Sequence, residues 1–81
     1  MRSRVSLLPN GGQLIVDTTN QTVVVSPPSG YAVEIYDSNN NFVGKIFSPQ
    51  VISLPHNTGK YRIVNNTAYQ FELRLFHEII F

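Results

Sequence analysis

One set of residues in this sequence has the spacing of metal ligands: Asp37, Asn39 and Asn41 occupy alternate positions. The first half of a calcium-binding loop has this pattern, because carboxylate and amide oxygens contact the ion there. Phe42 stands where such a loop needs a Gly, and no Glu follows at the distance of the bidentate ligand. Asp and Asn are also common in turns, since they tolerate left-handed backbone and hydrogen-bond their own main chain. We therefore predict a hairpin turn and no metal, and retain these three residues as the alternative ligand set.

The histidine, serine and acidic residues of this sequence do not have the spacing of a known catalytic or metal site. The two histidines, His56 and His77, lack the i, i+4 spacing of a helical zinc site, and the chain has no cysteine. No Gly-x-Ser-x-Gly segment provides a nucleophile, and the five acidic residues are dispersed. A chain of 81 residues also leaves little room for a substrate pocket. We predict that the protein is not an enzyme and uses no cofactor.

Two aromatic residues, Tyr36 and Phe42, flank the asparagine-rich loop. Sugar-binding sandwiches present such rings as platforms, whereas neighbouring strands of a sheet often pack them against each other. Because the sequence has no Trp, we favour cross-strand packing. Carbohydrate binding through Tyr36 and Phe42 remains the alternative.

The end of the chain is apolar on both faces of a predicted strand, at Phe76, Ile79, Ile80 and Phe81. An apolar strand that is left exposed can pair with another chain. These residues either cap the core or contact a protein partner or a second copy. We take them as the candidate interface, with association through the C-terminal strand.

Length and charge narrow the class of protein. Eighty-one residues form one domain, in which residues 1–12 are an N-terminal arm or edge strand. Arg2 and Arg4 lie close together at the N-terminus, but the other four basic residues are scattered singly. We therefore predict no nucleic-acid binding, and no apolar run is long enough to span a membrane. Pro9 interrupts the apolar start before a signal peptide forms. The chain is accordingly either cytoplasmic or a mature fragment, and an extracytoplasmic location is favoured if it is a fragment.

Alternating apolar and polar residues, with turn signals every 8–12 positions, indicate eight short strands and no helix. We predict strands 13–18, 22–26 and 51–54 in one sheet. The other sheet would contain strands 31–37, 42–47, 60–64 and 69–76. The pattern predicts an all-β fold, an immunoglobulin-like or fibronectin-III-like antiparallel β-sandwich of seven to eight strands.

Leu54, Gly59 and Tyr61 have the spacing of a tyrosine corner. In such a corner the ring packs over the crossing between two sheets, and the hydroxyl bonds backbone a few residues upstream. These three residues are predicted to hold the fold together and to take no part in chemistry.

Three segments carry a family resemblance: 33–43 (VEIYDSNNNFV), 52–55 (ISLP) and 59–63 (GKYRI). They resemble the small immunoglobulin-like sandwiches of secreted bacterial proteins, including type IX secretion C-terminal sorting domains and a related domain family of unknown function. The resemblance covers about residues 31–75. It implies a non-catalytic module with a structural or protein-interaction role in a secreted or cell-surface bacterial protein. A small virion or surface-assembly protein is a further alternative.

Overall fold

The computed structural model describes residues 1–54 and 59–79, which form eight antiparallel strands and no helix. The strands are β1 (Arg2–Leu7), β2 (Gly12–Asp17), β3 (Gln21–Ser26), β4 (Ala32–Tyr36), β5 (Phe42–Phe47), β6 (Ile52–Leu54), β7 (Lys60–Asn65) and β8 (Phe71–Ile79). They form two four-stranded sheets, here called the first sheet (β1-β8-β3-β6) and the second sheet (β2-β7-β4-β5). The prediction of an all-β antiparallel sandwich of about eight strands is confirmed.

The strand pairing is that of one long hairpin folded over on itself. β1 pairs with β8, β2 with β7, β3 with β6 and β4 with β5. Two further pairings, β3 with β8 and β4 with β7, complete the sheets. This is the strand order of an eight-stranded jelly roll. In the immunoglobulin order the first two strands share a sheet, whereas here β1 and β2 lie in different sheets.

Two strands therefore lie in a different sheet from the one predicted. β2 was expected beside β3 but belongs to the second sheet, and β8 belongs to the first sheet with β3 and β6. Alternation of apolar residues identifies a strand and its buried face, but it carries no information on which strand lies next to it. The polar residues between β2 and β3 connect the two sheets and do not close a hairpin.

Asparagine makes three of the turns. Asn10, Asn20 and Asn40 have φ angles of 59°, 58° and 63°, in the left-handed region that Asn enters more readily than most residues. They lie between β1 and β2, between β2 and β3, and between β4 and β5. The turns of the folded hairpin are thus encoded locally, by residue type.

The core lies between the sheets and is built from the alternating apolar residues of both. Its buried members are Leu7, Val16, Val23, Val25, Val33, Ile35, Ile46, Leu54, Tyr61, Ile63, Phe71, Leu73 and Leu75. The ring of Tyr31 packs on Phe71, with 4.7 Å between ring centroids. β1 lies at one edge of the first sheet, and its inward residues Val5 and Leu7 close the core on that side.

Asn65, at the end of β7, is one of two fully buried polar residues in the described part of the chain, the other being Thr18. Its amide nitrogen lies 3.2 Å from the carbonyl of Leu7, 3.1 Å from that of Leu8 and 2.8 Å from that of Tyr69. Its amide oxygen accepts hydrogen bonds from the backbone N–H of Thr67 at 2.9 Å and from its hydroxyl at 2.6 Å. A residue of the second sheet is thereby bonded to the end of β1 and to the segment that enters β8, both of the first sheet.

The Asn65→Leu substitution tests this connection. It keeps the side-chain volume similar but leaves buried carbonyl groups without a donor, so we expect the free energy of unfolding to fall by about 2–3 kcal/mol. Denaturation in urea measures the change. The matched control is Asn66→Ala at the neighbouring exposed asparagine, which we expect to cost less than about 1 kcal/mol. Equal losses in the two variants would contradict a special role for Asn65.

Candidate functional site

The loop 37–41 is a turn folded around the carboxylate of Asp37. Oδ1 of Asp37 accepts hydrogen bonds from the backbone N–H groups of Asn39 and Asn41, each at 2.9 Å. Oδ2 lies 3.4 Å from the side-chain amide of Asn41, and the backbone N–H of Asn40 donates to the Asp37 carbonyl at 3.0 Å. The candidate metal ligands are brought together, but as partners of one another.

The electrostatics of this loop follow from those bonds. The backbone hydrogen bond from Asn41 lowers the pKa of Asp37 below its ordinary value of 3.8, with smaller contributions from the Asn41 side chain and Asn39. No group of three or more His, Cys, Asp or Glu side chains that could hold a metal ion occurs in residues 1–54 and 59–79. The arrangement therefore stabilises a turn at the tip of the folded hairpin.

Tyr36 and Phe42 do lie together, on the outer face of the second sheet. Their ring centroids are 5.7 Å apart at an interplanar angle of 69°. The guanidinium group of Arg62 lies 4.7 Å from the centroid of Tyr36 and covers one side of that ring. The same guanidinium donates to Gln13 at 3.1 Å and to Asn40.

These contacts limit what a sugar could reach. The Tyr36 hydroxyl donates to Glu34 at 3.1 Å, which raises the pKa of Tyr36 above 10.0. Phe42, by contrast, is 58% exposed. Of the predicted pair, Tyr36 is engaged in cross-strand packing and Phe42 presents the accessible ring.

The strand β5 forms an edge of the second sheet. Three of its apolar residues, Phe42, Val43 and Phe47, are 58%, 44% and 53% exposed. Gln50 occupies both main-chain groups of Phe47, because its side chain accepts from the Phe47 N–H at 3.2 Å and its own N–H donates to the Phe47 carbonyl at 2.6 Å. The ammonium group of Lys45 lies 5.4 Å from the centroid of the Phe47 ring. We call Phe42–Phe47 the β5 edge.

The other three edges are better protected. β1 carries Arg2 and Arg4 in the outward positions, and β2 carries Gln13, Ile15 and Asp17, of which Ile15 is 51% exposed. β6 is only three residues long. Short strands and charged side chains discourage pairing with another chain. The β5 edge has one charged residue, Lys45.

The predicted interface on the C-terminal strand stays a prediction. β8 pairs with β1 from Phe71 to Phe76 and with β3 on its other side, so no further strand can join it there. Phe76 lies on the outer face of the first sheet and is 42% exposed, whereas Ile79 lies on the opposite face and is 61% exposed. Ile80 and Phe81 lie outside the described residues. The apolar pattern was visible in the sequence, but the position of β8 inside its sheet was not.

The predicted tyrosine corner is described in part. Leu54 and Tyr61 are buried, and the Gly59 carbonyl accepts from the Thr18 hydroxyl at 3.3 Å. Residues 55–58, with His56, lie outside the described residues. The hydrogen bond of the Tyr61 hydroxyl to upstream backbone stays a prediction.

His77 lies at the rim of the sandwich. Its ring nitrogens are 3.1 Å from the Ser3 hydroxyl and 3.3 Å from the side-chain oxygen of Gln21. His77 therefore links β1 to β3 across β8, and these contacts give it a structural role.

A group that the sequence did not indicate is formed by Arg2, Arg4 and Arg74. Arg4 lies directly opposite Arg74 in the pairing of β1 with β8, and Arg2 lies opposite Phe76. All three arginines are exposed on the outer face of the first sheet. Arg74 is 70 positions from Arg4 in the chain, so only the register of β1 against β8 brings them together.

Comparison of the chain with protein-family models, with curated proteins and with solved structures finds no match. The resemblance to secreted bacterial sandwiches therefore stays a prediction, and function is argued from the surface of the molecule. Among residues 1–54 and 59–79, no helix has the length and apolar character needed to span a membrane.

The Asp37 turn gives a prediction on pH dependence. Its pKa is lower in the folded state than the ordinary 3.8, so the ionised carboxylate stabilises the fold above that pH and the stabilisation is lost as the pH falls through the folded pKa. We expect Asp37→Asn to be less stable than wild type at pH 7, with a difference that shrinks below pH 3.8. Urea denaturation across the acid range measures it.

The control for this experiment is Asn39→Ala. Asn39 contributes its backbone N–H to the turn, so its side-chain replacement should shift stability by the same amount at every pH. A constant difference between wild type and Asp37→Asn throughout the acid range would contradict the assigned role of the carboxylate.

Proposed function

We propose that this chain is a non-catalytic β-sandwich module with a structural or protein-interaction role, and that it docks an extended protein strand along the β5 edge. The observation that carries the proposal is the half-exposed apolar series Phe42, Val43 and Phe47 on a strand with an open side. An added strand gains main-chain hydrogen bonds from such an edge and side-chain contacts on both of its faces.

A second copy of the chain is the partner that this edge fits best. Antiparallel pairing of β5 with β5 of another copy is self-complementary, as a two-fold symmetric interface requires. It would bury the same apolar side chains on both copies and join two four-stranded sheets into one. Self-association of this kind is also what the alternative function, a small virion or surface-assembly protein, would require.

The setting of the module is also part of the proposal. The resemblance of segments 33–43, 52–55 and 59–63 to secreted bacterial sandwiches supports an extracytoplasmic, cell-surface or secreted parent protein. The absence of cysteine is compatible with that setting. Carbohydrate binding is the second candidate, because the exposed Phe42 ring lies beside the amide side chains of loop 37–41.

Sedimentation analysis over a range of protein concentrations tests the proposal, with Val43→Lys as the decisive variant. A lysine on an edge strand opposes pairing with another strand, so we expect Val43→Lys to weaken self-association by at least about tenfold, or 1.4 kcal/mol.

Leu8→Lys is the matched control, since Leu8 is 62% exposed and lies outside the strands. It should associate as the wild type does. A wild-type chain that is monomeric at every concentration, or equal weakening by both variants, would contradict docking along the β5 edge. Loss of glycan binding in Phe42→Ala, with unchanged self-association, would instead support the carbohydrate alternative.

A further inference from the structure

The outer face of the first sheet has a shallow depression in which three positive charges converge. It is lined by Arg2, Arg4, Val24, Ser26, Arg74 and Phe76. Strands β1, β8 and β3 contribute these residues, so the depression is part of the sheet itself. It lies on the opposite side of the sandwich from the outer face that carries Tyr36 and Arg62.

The arginines are held close by the register of the sheet. Side chains directly opposite each other in an antiparallel pair have Cβ atoms about 4.5–5.5 Å apart, which applies to Arg4 and Arg74. Arg2 is two residues from Arg4 on the same strand, at about 6–7 Å. Long side chains reach across such distances, so the three guanidinium groups can meet over a single ligand.

Within the described part of the chain no carboxylate lies directly opposite an arginine of this cluster, although Glu72 is two residues from Arg74 on the same face of β8. Glu72 lies opposite Ser6, and Glu78 lies opposite Thr22, so neither is the cross-strand partner of an arginine. No ion pair joins a carboxylate to any of the three arginines among those residues. Like charges placed directly opposite each other in a sheet are destabilising, and Arg4 faces Arg74 in this way.

We propose that this arginine cluster binds a compact anion with two or more phosphate groups. Guanidinium groups match phosphate oxygens in a bidentate geometry and keep their charge at all relevant pH values. A multivalent anion would convert the repulsion between Arg4 and Arg74 into two attractive contacts. This site is independent of the proposed pairing along the β5 edge.

The surrounding charges favour a compact ligand over a polymer. On the outer face of β8 the order of residues is Glu72, Arg74, Phe76 and Glu78. A long polyanion following this strand would meet a carboxylate on each side of the cluster. An anion confined to the depression would contact the arginines and avoid both.

Isothermal titration of the full chain with tripolyphosphate, at constant ionic strength, tests the proposal. We expect saturable binding at one site per chain. Arg4→Gln and Arg74→Gln should each weaken it by about threefold to fivefold, the effect of removing one exposed charged contact. Lys60→Gln removes the same charge from the second sheet, and its affinity should stay within about twofold of wild type.

Stability provides an independent readout. Because Arg4→Gln and Arg74→Gln relieve a like-charge contact, each should unfold at the same temperature as wild type or at a higher one while binding less tripolyphosphate. Arg4→Lys keeps the charge but loses the bidentate fork, so it should bind with an affinity between those of wild type and Arg4→Gln.

Three results would overturn the proposal. The first is the absence of saturable binding to the wild-type chain. The second is an equal loss of affinity in Lys60→Gln and Arg74→Gln, which would indicate attraction by net charge alone. The third is a ten-nucleotide oligodeoxythymidylate that binds more tightly than tripolyphosphate, which would indicate a nucleic-acid backbone as the ligand.

Discussion

The buried side chain of Asn65 is the interaction on which the two-sheet arrangement depends. β7 ends in the second sheet, and the chain must then cross to the first sheet to form β8. At this crossing the main chain leaves the regular ladder, so its carbonyl groups need other donors. The Asn65 amide supplies them at Leu7, Leu8 and Tyr69, while its oxygen holds Thr67. A hydrophobic residue in this position would fill the space and remove the side-chain donor from the Leu7 and Leu8 carbonyl groups, whereas the Tyr69 carbonyl would keep the Thr67 hydroxyl.

The crossing at Asn65 determines which strands remain accessible. Once β8 enters between β1 and β3, and β7 between β2 and β4, both are paired on two sides. The open edges are then β1, β6, β2 and β5, of which β5 has three exposed large apolar side chains and β2 has one, Ile15. Topology thus adds a candidate docking surface in the middle of the chain, at β5, to the one predicted on the C-terminal strand. It also places Arg4 against Arg74, which creates the charged depression.

Sequence patterns predicted the strands and turns well because these are local. The alternation of Phe71, Leu73 and Leu75 with polar residues marks β8, and asparagine marks the turns at positions 20 and 40. The sheet to which each strand belongs depends on contacts distant in the chain. A polar connection such as that between β2 and β3 looks the same whether it closes a hairpin or links two sheets.

The same limit applies to the candidate sites. Tyr36 and Phe42 were identified as a pair because they flank one turn, and the structure does bring them together. Arg62 packs over the ring of Tyr36, and Arg4 lies opposite Arg74. Both contacts depend on the register between strands that are far apart in the chain. Asparagine is also a common turn residue, so the sequence alone does not mark Asn65 as buried. Its burial follows from the passage of the chain from the second sheet to the first sheet.

Association through the β5 edge is the central claim of this account, and amide hydrogen exchange at low and high protein concentration tests it most directly. Pairing with a second strand protects the N–H groups on the open side of an edge. The account predicts slower exchange within β5 at high concentration, with unchanged exchange at the edges β1 and β2. Exchange that is independent of concentration, or new protection confined to another edge, would contradict it.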